Sequence, residues 1–192
     1  MLSRVLGGVL LTTLPVSQSA WTAASPVVPA TFLVLGWLCL GVGVVGRIWC
    51  ALYIVGRKTF SLVTDGPYSL CRNPLYLFSL LGGIGAMFLT ERLSLVVLFV
   101  LCFSGYFPRI MRREELSLRS LHGERFEHYR ATVPAFWPDF HGFREPAVLA
   151  VPPDLFRRFL LEVVWFIWIS GGITLLQRLQ EAGVLSPLLR LY

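Results

Sequence analysis

With 192 residues, 55% of them hydrophobic and only 15% charged, and a mean hydropathy of +0.67, the chain is not composed like a soluble domain, where about a quarter of residues are charged. Its net charge of +6 rests on arginine, Lys58 being the only lysine, and the arginines sit beside apolar runs. This excludes a nucleic-acid-binding surface and points to a multi-pass membrane protein with its basic segments on one side.

The expected fold is all-α and membrane-embedded, with about five transmembrane helices, each needing about 20 apolar residues. Val5–Trp21 is the first candidate. Arg4 and the small residues Ser17–Ala20 also give it the look of a cleavable signal, but a retained helix, kinked or shortened by Pro15, is the preferred reading. Val27–Val55 is the clearest span, interrupted only by Arg47. Within it, Gly41 to Gly46 match GxGxxG, with Asp65 some 20 residues on, yet the motif lacks the strand–turn–helix setting of a nucleotide loop. These glycines, like Gly82, Gly83, Gly85 and Ala86 further on, fit close helix packing instead.

Leu75–Phe107 is too long for one span and breaks at Thr90-Glu91-Arg92, which predicts two helices in a tight hairpin with a charged tip. Phe159–Leu176, flanked by Arg157, Arg158 and Arg178, predicts the last span. Thirteen of the 17 basic residues fall within 47–72 and 109–158. Both segments share one side if there are five spans with the N-terminus inside, so both are expected to be cytoplasmic. Without repeats or low-complexity tracts, residues 1–192 read as a single membrane domain. Cys39, Cys50, Cys71 and Cys102 have no CxxC spacing and read as small hydrophobes, and His122, His128 and His141 lack a ligand cluster, so no metal site is expected.

Two polar segments carry the chemistry. In the first, Asp65-Gly66-Pro67 is turn sequence, and Asn73-Pro74 fits a helix start with Asn as N-cap and Pro at the first position. Its free N–H groups and positive dipole end would lie beside Arg72 and Tyr76. In the second, residues 108–130 read as an amphipathic helix, bent at Pro108 and loosened at Gly123. On a helical wheel Phe107, Ile110, Met111, Leu118 and Leu121 fall within about 60° of Glu114. Arg109, Arg112, Arg113 and Arg119 point elsewhere, and Glu115 lies at the stripe's edge. A carboxylate on a buried stripe costs several kcal/mol unless a cation or donors meet it. Either an internal partner such as Arg72 or a polar ligand would supply them. Beyond this helix, residues 133–140 form a Pro-rich turn with aromatics suited to the membrane interface.

Together these segments resemble the isoprenylcysteine carboxyl methyltransferase and phospholipid methyltransferase superfamily over about residues 62–138. The resemblance lies in Arg72-Asn73-Pro74-Leu75-Tyr76, the hairpin, Glu114-Glu115, Gly123-Glu-Arg-Phe126-Glu-His-Tyr129 and Val133–Pro138. It implies a membrane methyltransferase that uses S-adenosylmethionine at the cytoplasmic face and takes a lipid or lipidated substrate from the bilayer. The acceptor would be an isoprenylcysteine-type carboxylate, a phospholipid amine or a thiol. It further implies Arg72, Glu114 and Glu115 as catalytic groups. Val63, Gly66, Tyr68, Arg72, Asn73, Pro74, Tyr76, Glu114, Glu115, Leu118 and Tyr129 would bind the cofactor, Arg72 and the helix start taking its carboxylate and a Glu its amino group or ribose. Asn73 stands where the eukaryotic carboxyl methyltransferases have His, and Asn does not titrate near neutral pH. An NADPH-dependent sterol-type reductase and a non-enzymatic membrane scaffold are the alternative readings.

Overall fold

The computed structural model describes residues 17–19, 27–55, 61–184 and 189–191. Helices dominate: α1 (Val27–Ile54), the single turn α2 (Pro67–Leu70), α3 (Pro74–Phe88), α4 (Leu93–His122), α5 (Glu124–Thr132) and α6 (Pro153–Glu181). A 3-10 turn covers Phe140–Gly142. Strands β1 (Ser17–Ser19) and β2 (Leu189–Leu191) pair in parallel. Within the expected first span, Ser17–Ser19 are therefore strand rather than helix, and the other residues of 5–21 lie outside the described residues.

Among the described residues, three helices are long and apolar enough to cross a membrane: α1, α4 and α6. Fewer than a fifth of the residues in their apolar windows are buried within the protein, as expected of helices whose other faces meet lipid. Helix α3, with 15 residues, rises only about 22 Å at 1.5 Å per residue and is short of a full hydrocarbon core. The expected hairpin is present, since α3 and α4 are joined through Leu89–Arg92. The tip is not a pair of solvated charges. Arg92 is buried, its Nη1 donating to the Thr90 carbonyl at 2.9 Å, and Glu91 takes up a left-handed φ of 57° to complete the turn.

Helix α4 continues through Pro108 without interruption. Proline there removes one ladder hydrogen bond, a loss that long membrane helices tolerate when neighbouring groups compensate. The break comes at Gly123, whose φ of 51° favours glycine. On the polar half of α4, Met111, Glu114, Glu115 and Leu118 are half-buried while Arg109, Arg112, Arg113 and Arg119 are exposed. The wheel fails only at Leu121, which is exposed because the cover over this stripe ends a turn earlier.

The chain divides into two compact units. One takes in residues up to Gly41, Leu81–Tyr106 and Trp165 onward. Its core packs Leu40, Ala86, Met87, Leu89, Leu95, Val96 and Ile173. A β-carbon on Gly85 would fall 2.4 Å from the Leu40 main-chain nitrogen, so α1 and α3 touch backbone to backbone there. The other unit comprises Val42–Leu80 and Phe107–Val164. Its core gathers Cys50, Tyr53 and Tyr68, with Trp49, Leu75, Phe78 and Leu149 against them. Here Gly46 lies tight against the Phe78 ring, whereas Gly41, in the first unit, faces open space and has no packing role. Arg47 donates to the Ser79 hydroxyl and lies 5.6 Å over the Phe159 ring, which holds its charge within α1. All four cysteines are free.

Candidate functional site

The second unit holds the candidate site. Pro74 opens α3 at the first helical position, and the Asn73 carbonyl accepts from the Tyr76 and Leu77 amides. The Asn73 side chain reaches away from the helix, donating from Nδ2 to the Ala135 carbonyl at 2.9 Å. Ahead of it, Gly66 adopts a φ of 59° and packs beneath the Tyr53 ring, where any side chain would collide. Gly66 and Ser69 are stitched to Arg144. The Gly66 amide donates to the Arg144 carbonyl at 2.7 Å, and the Arg144 amide donates to Ser69 Oγ at 3.0 Å.

The two expected carboxylates meet two different residues of the helix start. Arg72 Nε donates to Glu115 Oε1 at 2.9 Å, and the Tyr76 hydroxyl donates to Glu114 Oε2 at 2.9 Å. Consecutive residues on a helix diverge by about 100°, so Glu114 and Glu115 need separate partners. Arg72 and Tyr76, four apart across the start of α3, provide them. Arg72 is further committed through Nη1 to the carbonyls of Arg130 (2.9 Å) and Val133 (2.7 Å), while its amide donates to Pro134 O at 2.8 Å. The guanidinium thus organises the walls of the site as well as holding a carboxylate.

Nine of the eleven residues expected at the cofactor line one hollow: Val63, Tyr68, Arg72, Asn73, Tyr76, Glu114, Glu115, Leu118 and Tyr129. Gly66 and Pro74 do not line it; they shape the turn and the helix start that present the others. Ile54, Ser61, Leu62, Leu75 and Phe126 complete the lining and were not expected there. Two of them had a sequence signal, Leu75 within the Arg72–Tyr76 motif and Phe126 within the Gly123–Tyr129 motif. The hollow encloses about 70 Å³. A second, of about 470 Å³, shares Leu62 and Tyr129 with it and is edged by Thr64, Ser69, His128, Asp139 and Arg144.

Tyr68 gives the first hollow its chemical character. Its ring is buried, and its hydroxyl has no hydrogen-bond partner among the described residues. A buried hydroxyl without a partner costs about 1–3 kcal/mol, so this one stands ready for a ligand acceptor. Burial pushes the Tyr68 phenol well above its usual range and does the same to Tyr129, whose hydroxyl donates to the Tyr68 carbonyl at 2.7 Å. Both phenols therefore remain proton-bearing donors throughout the physiological range. Burial likewise pushes the neighbouring Cys71 thiol up to about 11.

A ligand with cationic, carboxylate and nucleoside parts fits this donor set in kind: two carboxylates, a helix start, a spare phenol and apolar walls. In size it does not fit the first hollow alone, because small-molecule sites commonly enclose about 300–1,000 Å³. The second hollow adjoins the first, Leu62 and Tyr129 lining both.

Residues 31–125 match the phospholipid methyltransferase family model, a stretch that contains both the Arg72–Tyr76 motif and the Glu114-Glu115 pair. Along 98% of this chain and 86% of the relative, it is 38% identical to a cobalt-zinc-cadmium resistance protein of Cupriavidus metallidurans. It is also 38% identical to a nickel-cobalt-cadmium resistance protein of Alcaligenes xylosoxydans xylosoxydans, covering 85% of this chain and 76% of that one. Over 54% of this chain and 48% of the relative, it is 31% identical to a protein-S-isoprenylcysteine O-methyltransferase of Schizosaccharomyces pombe. No solved structure matches. A helical membrane protein that carries this motif pair and these relatives belongs to the isoprenylcysteine carboxyl methyltransferase and phospholipid methyltransferase superfamily.

Proposed function

We propose that this chain is a membrane methyltransferase that binds S-adenosylmethionine across the two adjoining hollows of the second unit and methylates an acceptor drawn from the bilayer. The observation that carries the reading is the buried Tyr68 hydroxyl, without a partner among the described residues, on the hollow that Glu114 and Glu115 also line. Bound there, the cofactor supplies an electrophilic methyl group, which an acceptor lone pair takes as the carbon–sulfur bond breaks and a neutral thioether remains.

The chain's own residues bind and align. Glu114 and Glu115 place negative charge along the hollow, where a sulfonium or ammonium is favoured. Tyr76 fixes the rotamer of Glu114, and Arg72 fixes that of Glu115. Tyr68 donates to the ligand, and Tyr129 holds the Tyr68 main chain in place. Because in-line transfer depends on alignment, this rigidity accounts for much of the expected rate. A carboxylate or thiolate acceptor requires no further proton transfer. An amine must lose a proton, and Glu114 is the base at hand. The excess of arginine in 47–72 and 109–158 supports a cytoplasmic site.

Two relatives are named for resistance to cobalt, zinc, cadmium and nickel, and we read this as the setting in which the chain acts rather than as metal binding at the site. Among the described residues no group of three or more His, Cys, Asp or Glu is placed to hold a metal ion.

The test is to incubate the purified protein in lipid nanodiscs with isotope-labelled cofactor and a membrane lipid extract, and to search for mass-shifted species. A labelled lipophilic product that disappears with Glu114→Gln supports the reading. Cofactor that remains unconsumed across carboxylate, amine and thiol acceptors contradicts it.

A further inference from the structure

The segment between α5 and α6, residues 133–152, has no regular structure beyond one 3-10 turn, yet it exposes large apolar side chains. Trp137 is 74% exposed, Phe140 73% and Val148 83%, with Phe143 also open. A short polar-backbone loop does not usually display such surface to water, and in a membrane protein aromatics of this kind mark the headgroup level.

Contacts fix the level of this segment independently. Phe143 packs on Trp49 with centroids 6.2 Å apart, and Glu145 accepts from the Tyr53 hydroxyl at 2.9 Å. Leu149 joins the cluster of Cys50, Tyr53 and Tyr68. Trp49 and Tyr53 belong to the last two turns of α1, a membrane-crossing helix that ends at Ile54, and α6 begins at Pro153, five residues after Val148. The segment is therefore tied to the end of one apolar helix and leads directly into another. Arg144 within it, and Arg157 and Arg158 near the start of α6, are exposed cations of the kind that meet lipid phosphates, Arg157 also pairing with Asp154 at 2.8 Å.

We infer that residues 136–148 are seated in the headgroup–acyl boundary of the bilayer, with Trp137, Phe140 and Val148 inserted, and that this seat braces the wall of the ligand hollow. The mechanical link is main-chain. Pro134 accepts from the Arg72 amide, Ala135 from Asn73 Nδ2, Leu70 from the Asp139 amide, and Arg144 from the Gly66 amide. Pulling the aromatics out of the bilayer would load these bonds. The inference stands apart from methyl transfer, because it concerns where the segment lies and what it holds.

The test uses full-length protein in phosphatidylcholine nanodiscs. The fluorescence contributed by Trp137, taken as wild type minus Trp137→Phe, should be blue-shifted. It should be quenched more by lipids brominated near the glycerol end of the acyl chain than by those brominated near the terminal methyl, and be nearly insensitive to iodide. Phe140→Trp in the Trp137→Phe background should report the same depth. In Trp137→Asp/Phe140→Asp, the amides of Gly66, Arg72 and Asp139 should exchange hydrogen at least tenfold faster, with the Leu95 amide unchanged. Water-like emission quenched by iodide, deeper quenching than boundary quenching, or unaltered exchange at those three amides would overturn the inference.

Discussion

Arg72 Nε and Glu115 Oε1 meet at 2.9 Å across 43 residues of sequence, joining the start of α3 to the polar half of α4. Both side chains are largely buried, 10% and 21% exposed. Removing either charge strands the other in a poorly solvated place, and broken pairs of this kind cost about 3–5 kcal/mol. Arg72→Ala should therefore destabilise the second unit by about 3 kcal/mol. Arg72→Lys should recover little, since an ammonium cannot span a carboxylate and two carbonyls as the guanidinium does. Thermal unfolding in nanodiscs compares the three proteins; a lysine variant as stable as wild type would show that the carbonyl bonds contribute nothing.

Tyr68 yields a prediction of opposite sign for the free and the liganded protein. Tyr68→Phe deletes a buried hydroxyl that has no partner among the described residues, so the free protein should be unchanged or about 1 kcal/mol more stable. Ligand binding should weaken by about 1 kcal/mol, roughly fivefold. Unfolding scans with and without S-adenosylmethionine measure both effects, and a loss of stability in the free protein would mean the hydroxyl already has a partner.

Tyr76 and Glu114 should behave as one unit. Tyr76→Phe removes the donor and Glu114→Ala the acceptor of the same charge-assisted hydrogen bond. The double variant should therefore fall short of the summed single effects by about 1–2 kcal/mol. A cycle built on cofactor affinity or unfolding temperature measures the coupling. Simple additivity would mean that the 2.9 Å contact is not maintained in the membrane.

Cys71 supplies a pH-dependent probe of the packing around the hollow. Burial raises its thiol from the ordinary 9.0 to about 11, so folding favours the neutral form. Its contribution to stability is complete below pH 9 and is lost as pH rises through 11. At pH 8 the thiolate fraction should be on the order of a hundredfold below that of an unfolded chain. Alkylation by N-ethylmaleimide, read at Cys71 by peptide mass spectrometry, should be slow in the native protein and rapid after denaturation. Equal rates would place Cys71 in water.

Much of this was legible in the sequence, for identifiable reasons. A long apolar run located α1, and one flanked by Arg157, Arg158 and Arg178 located α6. Thr90-Glu91-Arg92 located the hairpin turn, because adjacent charges within a long apolar run are tolerated chiefly where the chain leaves the hydrocarbon core. The half-buried position of Glu114 followed from helical periodicity alone. Three features were not legible. The unbroken passage of α4 through Pro108 depends on compensation that a single residue's propensity does not encode. The commitment of Arg72 to the carbonyls of Arg130 and Val133 was hidden because a main-chain acceptor leaves no residue signature. The same holds for Arg144, which binds Gly66 and Ser69 through its backbone and could have been almost any residue for that purpose.

What matters most is whether the two adjoining hollows, one lined by Arg72, Tyr76, Glu114 and Glu115 and both by Leu62 and Tyr129, bind S-adenosylmethionine. Isothermal titration of the nanodisc-embedded protein with that cofactor tests it most directly. The account predicts saturable binding at one site, about fivefold weaker in Tyr68→Phe, at least tenfold weaker in Glu114→Gln, and unaltered by Trp165→Phe in the other unit. Absence of saturable binding by the wild type, or binding indifferent to both Tyr68→Phe and Glu114→Gln, would contradict it.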